Sequence, residues 1–177
     1  MTQSNAPQAL SIPVSDRDHI RGKPDAPFTL LEYGDYECDY CGRAYPVVRA
    51  LREHFGDQLR FVFRNFPHAS IHPHASVAAQ AAEAAGSQGK FWEMHDLLFE
   101  HQTDLDTGDL THYALQIGLE VYHFQSDLQS ERFARRVEAD HQGGVENGVH
   151  KTPTFFINGV YYGGPMELNA MIAAISR

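Results

Sequence analysis

The sequence contains two cysteines, Cys38 and Cys41, which are separated by Asp39 and Tyr40. A disulfide across two intervening residues closes a very short loop, so it constrains the unfolded chain little and adds little stability. This spacing is instead typical of a redox-active thiol pair or of part of a metal site. In the redox case, a thiolate attacks a disulfide, forms a mixed disulfide, and is released by the neighbouring thiol.

The position of Cys38 in the chain favours the redox interpretation. It follows an apolar segment, residues 28–33, that predicts a buried strand, and it precedes a predicted helix over residues 41–55. The first-turn amides of a helix are unpaired and carry about half a positive charge, so a thiolate there is favoured over a thiol. A lowered thiol pKa makes a cysteine nucleophilic near neutral pH.

A structural zinc site is the alternative for such a cysteine pair, and it requires four ligands. The sequence has no second pair of cysteines, and the best further ligands are His68, His72 and His74. These histidines lack the downstream spacing of zinc-binding histidines. We therefore expect neither a bound metal nor an organic cofactor.

The remaining elements surround this pair. The strand at 28–33, the helix and a second strand at 59–66 form a βαβ unit, which implies two parallel strands with a right-handed crossover. Asn158-Gly159 predicts a hairpin, and a closing helix follows it over residues 166–175. Between these two parts, helical patterns are predicted at 75–85, 91–98 and 110–117 and from about 130, with a capping box at Ser126 and Gln129.

The length of 177 residues predicts one domain that carries an insertion. We expect a flexible N-terminal arm over residues 1–20 and a helical insertion over residues 72–146. Residues 21–71 and 147–177 then form the α/β domain, a mixed central sheet flanked by helices.

Three segments, in this order, resemble the DsbA-like branch of the thioredoxin superfamily. They are Glu32-Tyr-Gly-Asp-Tyr-Glu-Cys-Asp-Tyr-Cys41, Gln88-Gly-Lys-Phe-Trp-Glu-Met-His-Asp-Leu97 and Thr152-Pro-Thr-Phe-Phe-Ile-Asn-Gly159. The resemblance covers about residues 20–177 and implies a thioredoxin-like α/β fold with an inserted helical domain. It also implies that Cys38 is an exposed nucleophile, Cys41 a buried resolving thiol and Pro153 a cis-proline facing the pair, with the Thr152 backbone binding an extended substrate chain.

Glu32 matches the buried acid of that branch. It interrupts an apolar strand, where an ionised carboxylate is costly. A buried acid has a raised pKa and can relay the proton of the resolving thiol. The alternative places Glu32 at the exposed end of the strand in a salt bridge.

The residues between the cysteines depart from the strongly oxidising members of the branch, which carry Pro-His there. Asp39, together with Glu37 and Asp35, is expected to raise the thiol pKa, because like charges disfavour the thiolate. This predicts a weaker oxidant. The alternative role of Asp39 is to support the helix N-terminus.

Composition restricts the partners. A formal net charge of −9 argues against nucleic acid, because phosphate binding requires a basic face. No apolar run approaches the roughly 20 residues of a membrane span, so no membrane partner is expected. The segment Met1–Ala9 lacks the features of a secretory signal, which predicts a cytoplasmic location, or an extracytoplasmic one if Met1 is not the natural start.

The expected activity is dithiol–disulfide exchange with protein or peptide thiols. A thioredoxin-type or glutathione system is expected as the redox partner, and the protein is expected to be a monomer. Tyr36, Tyr40 and Phe66 either line an apolar surface for unfolded substrate or pack in the core or its rim. One alternative is a relative of the kappa-type glutathione transferases or isomerases, although these usually lack the second cysteine. Another is a thiol-dependent binding module, such as a holdase or a metal carrier.

Overall fold

The structure, a computed structural model, describes residues 9–177. Within this range no helix combines the length and the apolar composition that crossing a membrane requires. In chain order the elements are β1 (His19–Arg21), β2 (Phe28–Gly34), α1 (Asp39–Phe55), a short 3-10 turn (Gly56–Gln58), β3 (Leu59–Asn65), α2 (Ala75–Ser87), α3 (Phe91–Glu100), α4 (Thr107–Gln116), α5 (Val121–Gln129), α6 (Ala134–Glu146), β4 (Thr154–Ile157), β5 (Val160–Tyr162) and α7 (Leu168–Ile175).

The strands of residues 9–177 form one mixed five-stranded sheet in the order β1-β3-β2-β4-β5. β2 and β3 are parallel, as the βαβ pattern predicts, while β4 is antiparallel to β2 and joins β5 as the predicted hairpin. In this register Glu32 of β2 lies between Phe63 of β3 and Phe155 of β4. The predicted thioredoxin-like α/β fold is confirmed.

The helix α1 is anchored on one face of this sheet. Along β2, alternate side chains point to opposite faces, so Leu30 and Glu32 share the face that α1 covers, while Leu31 and Tyr33 lie on the other. Full burial of one leucine such as Leu51 stabilises the fold by about 1.5–3 kcal/mol. The buried residues of α1 are Cys41, Ala44, Val48, Leu51 and Phe55.

The helices α2 to α6 lie within the segment predicted to be helical, with three local differences. The helix α5 was not predicted, and Ser126 lies inside it instead of capping a helix. The capping box is formed one helix earlier, where Asp106 and Asp109 each accept the backbone N–H of the other at 2.9 and 3.2 Å. The helix α6 begins at Ala134, later than its composition indicated.

The predicted N-terminal arm is wrong for residues 9–20. The backbone N–H of Leu10 donates to Gly159 at 2.7 Å, and β1 adds an antiparallel edge strand to β3. Asp18 accepts a hydrogen bond from Arg64 at 2.7 Å in a pair that is almost fully buried. Proline and asparagine signals mark an irregular backbone, but they do not show what that backbone contacts. The rest of the predicted arm lies outside the described residues.

Candidate active site

Cys38 is the N-cap residue of α1, and its backbone is extended, with φ −80° and ψ 121°. The helix begins at Asp39, two residues before the predicted start. The Cys38 carbonyl accepts the backbone N–H of Gly42 at 3.0 Å, and the Cys38 sulfur lies 3.5 Å from the Thr152 carbonyl oxygen. The pair therefore lies between the start of α1 and the segment that leads into β4.

The pKa of the Cys38 thiol is lowered from 9.0 to about 5. The largest cause is a hydrogen bond from the Cys41 thiol, and the backbone amides of Cys41 and Tyr40 act in the same direction, while burial opposes them. These amides belong to the first turn of α1, where the peptide N–H groups have no partner within the helix. Cys38 is consequently a thiolate at neutral pH.

Cys41 has the opposite character. It is fully buried, and burial, its hydrogen bond to Cys38 and the negative charge of Glu32 raise the pKa of its thiol well above the ordinary value. The backbone N–H of Asp35 donates to the Cys41 sulfur at 3.4 Å. One cysteine of the pair is therefore ionised and the other protonated.

Cys38 is less exposed than the resemblance implied, since only 6% of its surface is accessible. Its contact residue Thr152 lines a surface pocket of about 520 Å³, together with Pro153 and Tyr40. Other aromatic and apolar residues of this pocket are Tyr161, Tyr162, Phe155 and Met166. The pocket therefore lies next to the residue that the Cys38 sulfur contacts.

The peptide bond between Thr152 and Pro153 is cis, the geometry that the resemblance implied. Of the three aromatic residues considered for a substrate surface, only Tyr40 is exposed, at 62%. Tyr36 and Phe66 are buried, so for these two the core alternative holds. The guanidinium of Arg43 lies 4.4 Å from the centre of the Tyr40 ring.

Glu32 lies inside the protein, with 2% of its surface accessible, so the alternative of an exposed salt bridge is wrong. Burial, and secondarily the charge of Cys38, raises its pKa from 4.5 to about 8. Within the described part of the chain its Oε1 atom has no hydrogen-bond partner. The Glu32 carboxyl therefore titrates close to neutral pH, and it interacts electrostatically with both cysteines.

Two of the three carboxylates that were expected to repel the thiolate make hydrogen bonds to histidines. Asp35 accepts hydrogen bonds from the backbone N–H of His68 and from the ring of His72, both at 2.8 Å, and Glu37 contacts the ring of His74 at 2.9 Å. These are the three histidines considered as zinc ligands. The prediction of a raised thiol pKa is wrong, because the hydrogen bonds from the Cys41 thiol and from the first-turn amides of α1 lower the pKa of Cys38.

Asp39 lies in the first turn of α1, where the helix dipole favours a carboxylate. This position agrees with the alternative of helix support.

The helical block, which comprises α2 to α6 with their connecting loops (residues 75–146), contacts the loop before α1 through residues that sequence reasoning missed. The side-chain amide of Gln102 donates to the carbonyls of Tyr36 at 2.8 Å and Cys38 at 3.0 Å. The Tyr36 hydroxyl hydrogen-bonds to Nδ1 of His95 at 3.0 Å, and burial lowers the pKa of this histidine well below its usual range, which keeps its ring neutral. Gln102 lies 64 positions from Cys38, so no local pattern signals this contact.

Comparison with known proteins places these features in a family. The family model Thioredoxin_4, described as thioredoxin, matches residues 15–177. A relative from Salinispora arenicola, named Na(+)/H(+) antiporter NhaA 1, is 48% identical over 168 residues, which are 94% of this chain and 26% of that protein. The chain thus spans about a quarter of the length of the curated relatives it matches.

Two solved structures share the fold over nearly the whole chain. BdbD from Bacillus subtilis, solved in its oxidised form, has a TM-score of 0.85 and 25% identity, covering 96% of this chain and 95% of that one. The α-DsbA1 of Wolbachia pipientis has a TM-score of 0.78 and 21% identity, covering 94% and 92%, and shows the likeness of fold. With the cysteine pair at the start of α1 and the family match over residues 15–177, this chain belongs to the thioredoxin family as a DsbA-like member.

Proposed function

We propose that this protein catalyses thiol–disulfide exchange on protein or peptide substrates with Cys38 and Cys41. The observation that carries the proposal is the asymmetry of the pair. The pKa of Cys38 is lowered to about 5, whereas that of Cys41 is raised well above the ordinary value. A nucleophilic thiolate with a protonated partner in hydrogen-bond contact is the arrangement that forms a mixed disulfide and then resolves it.

In the oxidising direction, a substrate thiolate attacks the Cys38 sulfur of the Cys38–Cys41 disulfide. The bond between the two cysteines breaks, Cys41 leaves with the electron pair and takes up a proton, and Cys38 is held in a mixed disulfide. A second substrate thiolate then attacks the substrate sulfur and releases Cys38 as a thiolate. The substrate loses two electrons to the pair, and the low pKa of Cys38 makes it a good leaving group.

Glu32 supplies the proton for this exchange. Its pKa of about 8 means that it is mostly protonated at neutral pH and still able to ionise. It donates a proton when Cys41 leaves, and it accepts one when Cys41 attacks in the reverse reaction. Because the Cys41 thiol is fully buried, a buried acid is better placed for this transfer than bulk water.

The pocket beside Pro153 receives the substrate. Tyr40, Tyr161 and Met166 give it an apolar lining, which suits the side chains that an unfolded polypeptide exposes. A substrate chain that extends along Thr152 brings a substrate sulfur next to Cys38, whose thiol contacts the Thr152 carbonyl. A thioredoxin-type or glutathione system then restores the redox state of the pair.

The alternative functions fit this site less well. A transferase that uses one thiol has no use for Cys41, yet the Cys41 thiol is the largest cause of the lowered pKa of Cys38. A metal carrier requires free ligands, whereas His72 and His74 are engaged by carboxylates. The antiporter name belongs to relatives of which this chain matches about a quarter, so antiport is not proposed.

Insulin reduction by dithiothreitol, followed by turbidity, tests the proposal with Cys38→Ser and Cys41→Ser variants. We expect both variants to lose the catalysed rate, and Cys41→Ser to accumulate mixed disulfides with substrate, since Cys38 still attacks but nothing resolves the product. Exchange that is unchanged in both variants contradicts the proposal. A matched His68→Asn variant should retain the rate, because His68 contacts Asp35 through its backbone N–H.

A further inference from the structure

Gln102 follows α3 and contacts the start of α1. Its Nε2 atom donates one hydrogen to the carbonyl of Tyr36 and one to that of Cys38, at 2.8 and 3.0 Å. The Cys38 carbonyl also accepts the N–H of Gly42, the first backbone bond of α1. A single side chain therefore ties the loop before the helix to the N-cap residue itself.

Gly42 shows how closely the two parts fit. A Cβ atom built at Gly42 would collide with the Oε1 atom of Gln102. Glycine inside a helix is less favourable than alanine, and Gly42 does not have the positive φ that would require glycine. The physical reason for glycine here is the close approach of the Gln102 side chain to the helix backbone.

The Gln102 contact lies on the backbone that carries the Cys38 sulfur. The amides of Cys41 and Tyr40 act on that sulfur only while the Cys38 backbone keeps its extended N-cap conformation. Without the Gln102 amide, the Tyr36 carbonyl loses this donor and the Cys38 carbonyl keeps only the bond from Gly42. The loop is then free to turn the sulfur away from the first-turn amides.

We propose that Gln102 is a positioning residue that holds Cys38 in the N-cap conformation in which its sulfur faces the first turn of α1. Gln102 touches no sulfur and acts through the Cys38 and Tyr36 carbonyls. The inference rests on the proposed function, since it concerns the nucleophile of that reaction. It assigns to the helical block a direct role in maintaining the reactive thiolate.

The test measures the pH dependence of Cys38 alkylation by iodoacetamide in Gln102→Met, which keeps the side-chain length and removes the hydrogen bonds. We expect the midpoint to rise by about one pH unit, a tenfold change in the acid dissociation constant. Alkylation at pH 5 then becomes slower, while alkylation at pH 8 is retained. A midpoint equal to that of the wild type overturns the inference.

Gln88→Met is the matched control. Gln88 also lies in the helical block and makes two hydrogen bonds, both with the backbone of Glu120, at 2.8 and 3.3 Å. We expect this variant to lose comparable thermal stability with no change in the Cys38 midpoint. An equal shift in both variants overturns the inference, because general loosening of the block would then explain it.

Gly42→Ala keeps the test decisive if Gln102→Met does not fold. The added methyl group displaces Gln102, so the midpoint should rise as in Gln102→Met, and the double variant should shift no further than the larger single one. Additive shifts contradict a shared mechanism. The alkylation midpoint of the wild type separates the two proposals. A midpoint near the pKa of an ordinary thiol contradicts the proposed function. A low midpoint that is unchanged in the variants contradicts only the role of Gln102.

Discussion

Glu32, buried in the central part of the sheet, interacts with the Cys41 thiol, which is buried in the first turn of α1: burial and the hydrogen bond to Cys38 raise the pKa of that thiol, and the charge of Glu32, once the acid ionises, raises it further. The acid belongs to β2 and the thiol to the helix that follows it, so the βαβ unit itself brings the two groups together. The pKa of Glu32 is raised in turn, first by its own burial and then by the charge of Cys38, so the acid and the cysteine pair titrate in one buried environment.

Glu32→Gln should stabilise the protein increasingly as pH rises. The pKa of Glu32 rises from 4.5 to about 8 on folding, so the folded chain binds more protons between these values, and the free energy of unfolding falls as pH rises through this window. The full effect is at most about 5 kcal/mol at about 1.4 kcal/mol per pH unit. Chemical denaturation at a series of pH values measures the difference between variant and wild type.

Glu53→Gln, on the exposed side of α1, is the control for that series and should show no such pH dependence. A constant difference between Glu32→Gln and the wild type from pH 5 to pH 9 would contradict the buried-acid assignment.

The same Glu32→Gln change should slow the resolution of a mixed disulfide. Removing a general acid–base group typically costs about a hundredfold or more in rate. The mixed disulfide between Cys38 and glutathione can be prepared and its release of glutathione followed. In the wild type, the rate of glutathione release should change with pH near 8, where Glu32 titrates, and we expect this change to be absent in the variant. A pH–rate profile identical to that of the wild type would exclude the relay.

Tyr40→Ser should weaken the binding of polypeptide substrates and leave the chemistry of the thiol unchanged. Loss of an aromatic contact of about 1 kcal/mol raises KM about fivefold. KM for a reduced peptide and the alkylation rate of Cys38 are the two measurements. Tyr122→Ser is the control, since Tyr122 is 83% exposed on α5 and does not line the pocket. An equal effect of both changes would remove Tyr40 from the substrate site.

The weaker oxidising power stays a prediction, and it now depends only on the absence of histidine between the cysteines. Replacing Asp39-Tyr40 with Pro-His should make the reduction potential more oxidising, by about 30 mV for each 1.4 kcal/mol of added thiolate stabilisation. Equilibration in glutathione buffers of known composition measures this potential. A wild type already as oxidising as the Pro-His members of the branch would refute the prediction.

Neither the structure nor the comparisons test three further predictions from the sequence. The boundaries of the helical insertion at residues 72–146, the cytoplasmic location and the monomeric state stay predictions.

Local sequence patterns determined the strands and the helix that position the cysteine pair. The apolar strand before Cys38, the helix after it and the Asn158-Gly159 hairpin are all specified by residues close together in the chain. For that reason the parallel β2–β3 pair and the position of the cysteines at a helix start were predictable. The buried acid Glu32 was predictable as well, because a carboxylate inside an apolar strand is visible in the sequence.

Tertiary structure alone decided how the charges and the loop around the pair are held. The sequence shows the acidic residues Asp35 and Glu37, but their histidine partners lie 37 positions away in the chain. The contact between Gln102 and the Cys38 carbonyl spans 64 positions. Hydrogen bonds at this separation leave no periodic or capping signal, so only the folded chain shows that two of the carboxylates contact histidines and that Gln102 contacts the Cys38 carbonyl.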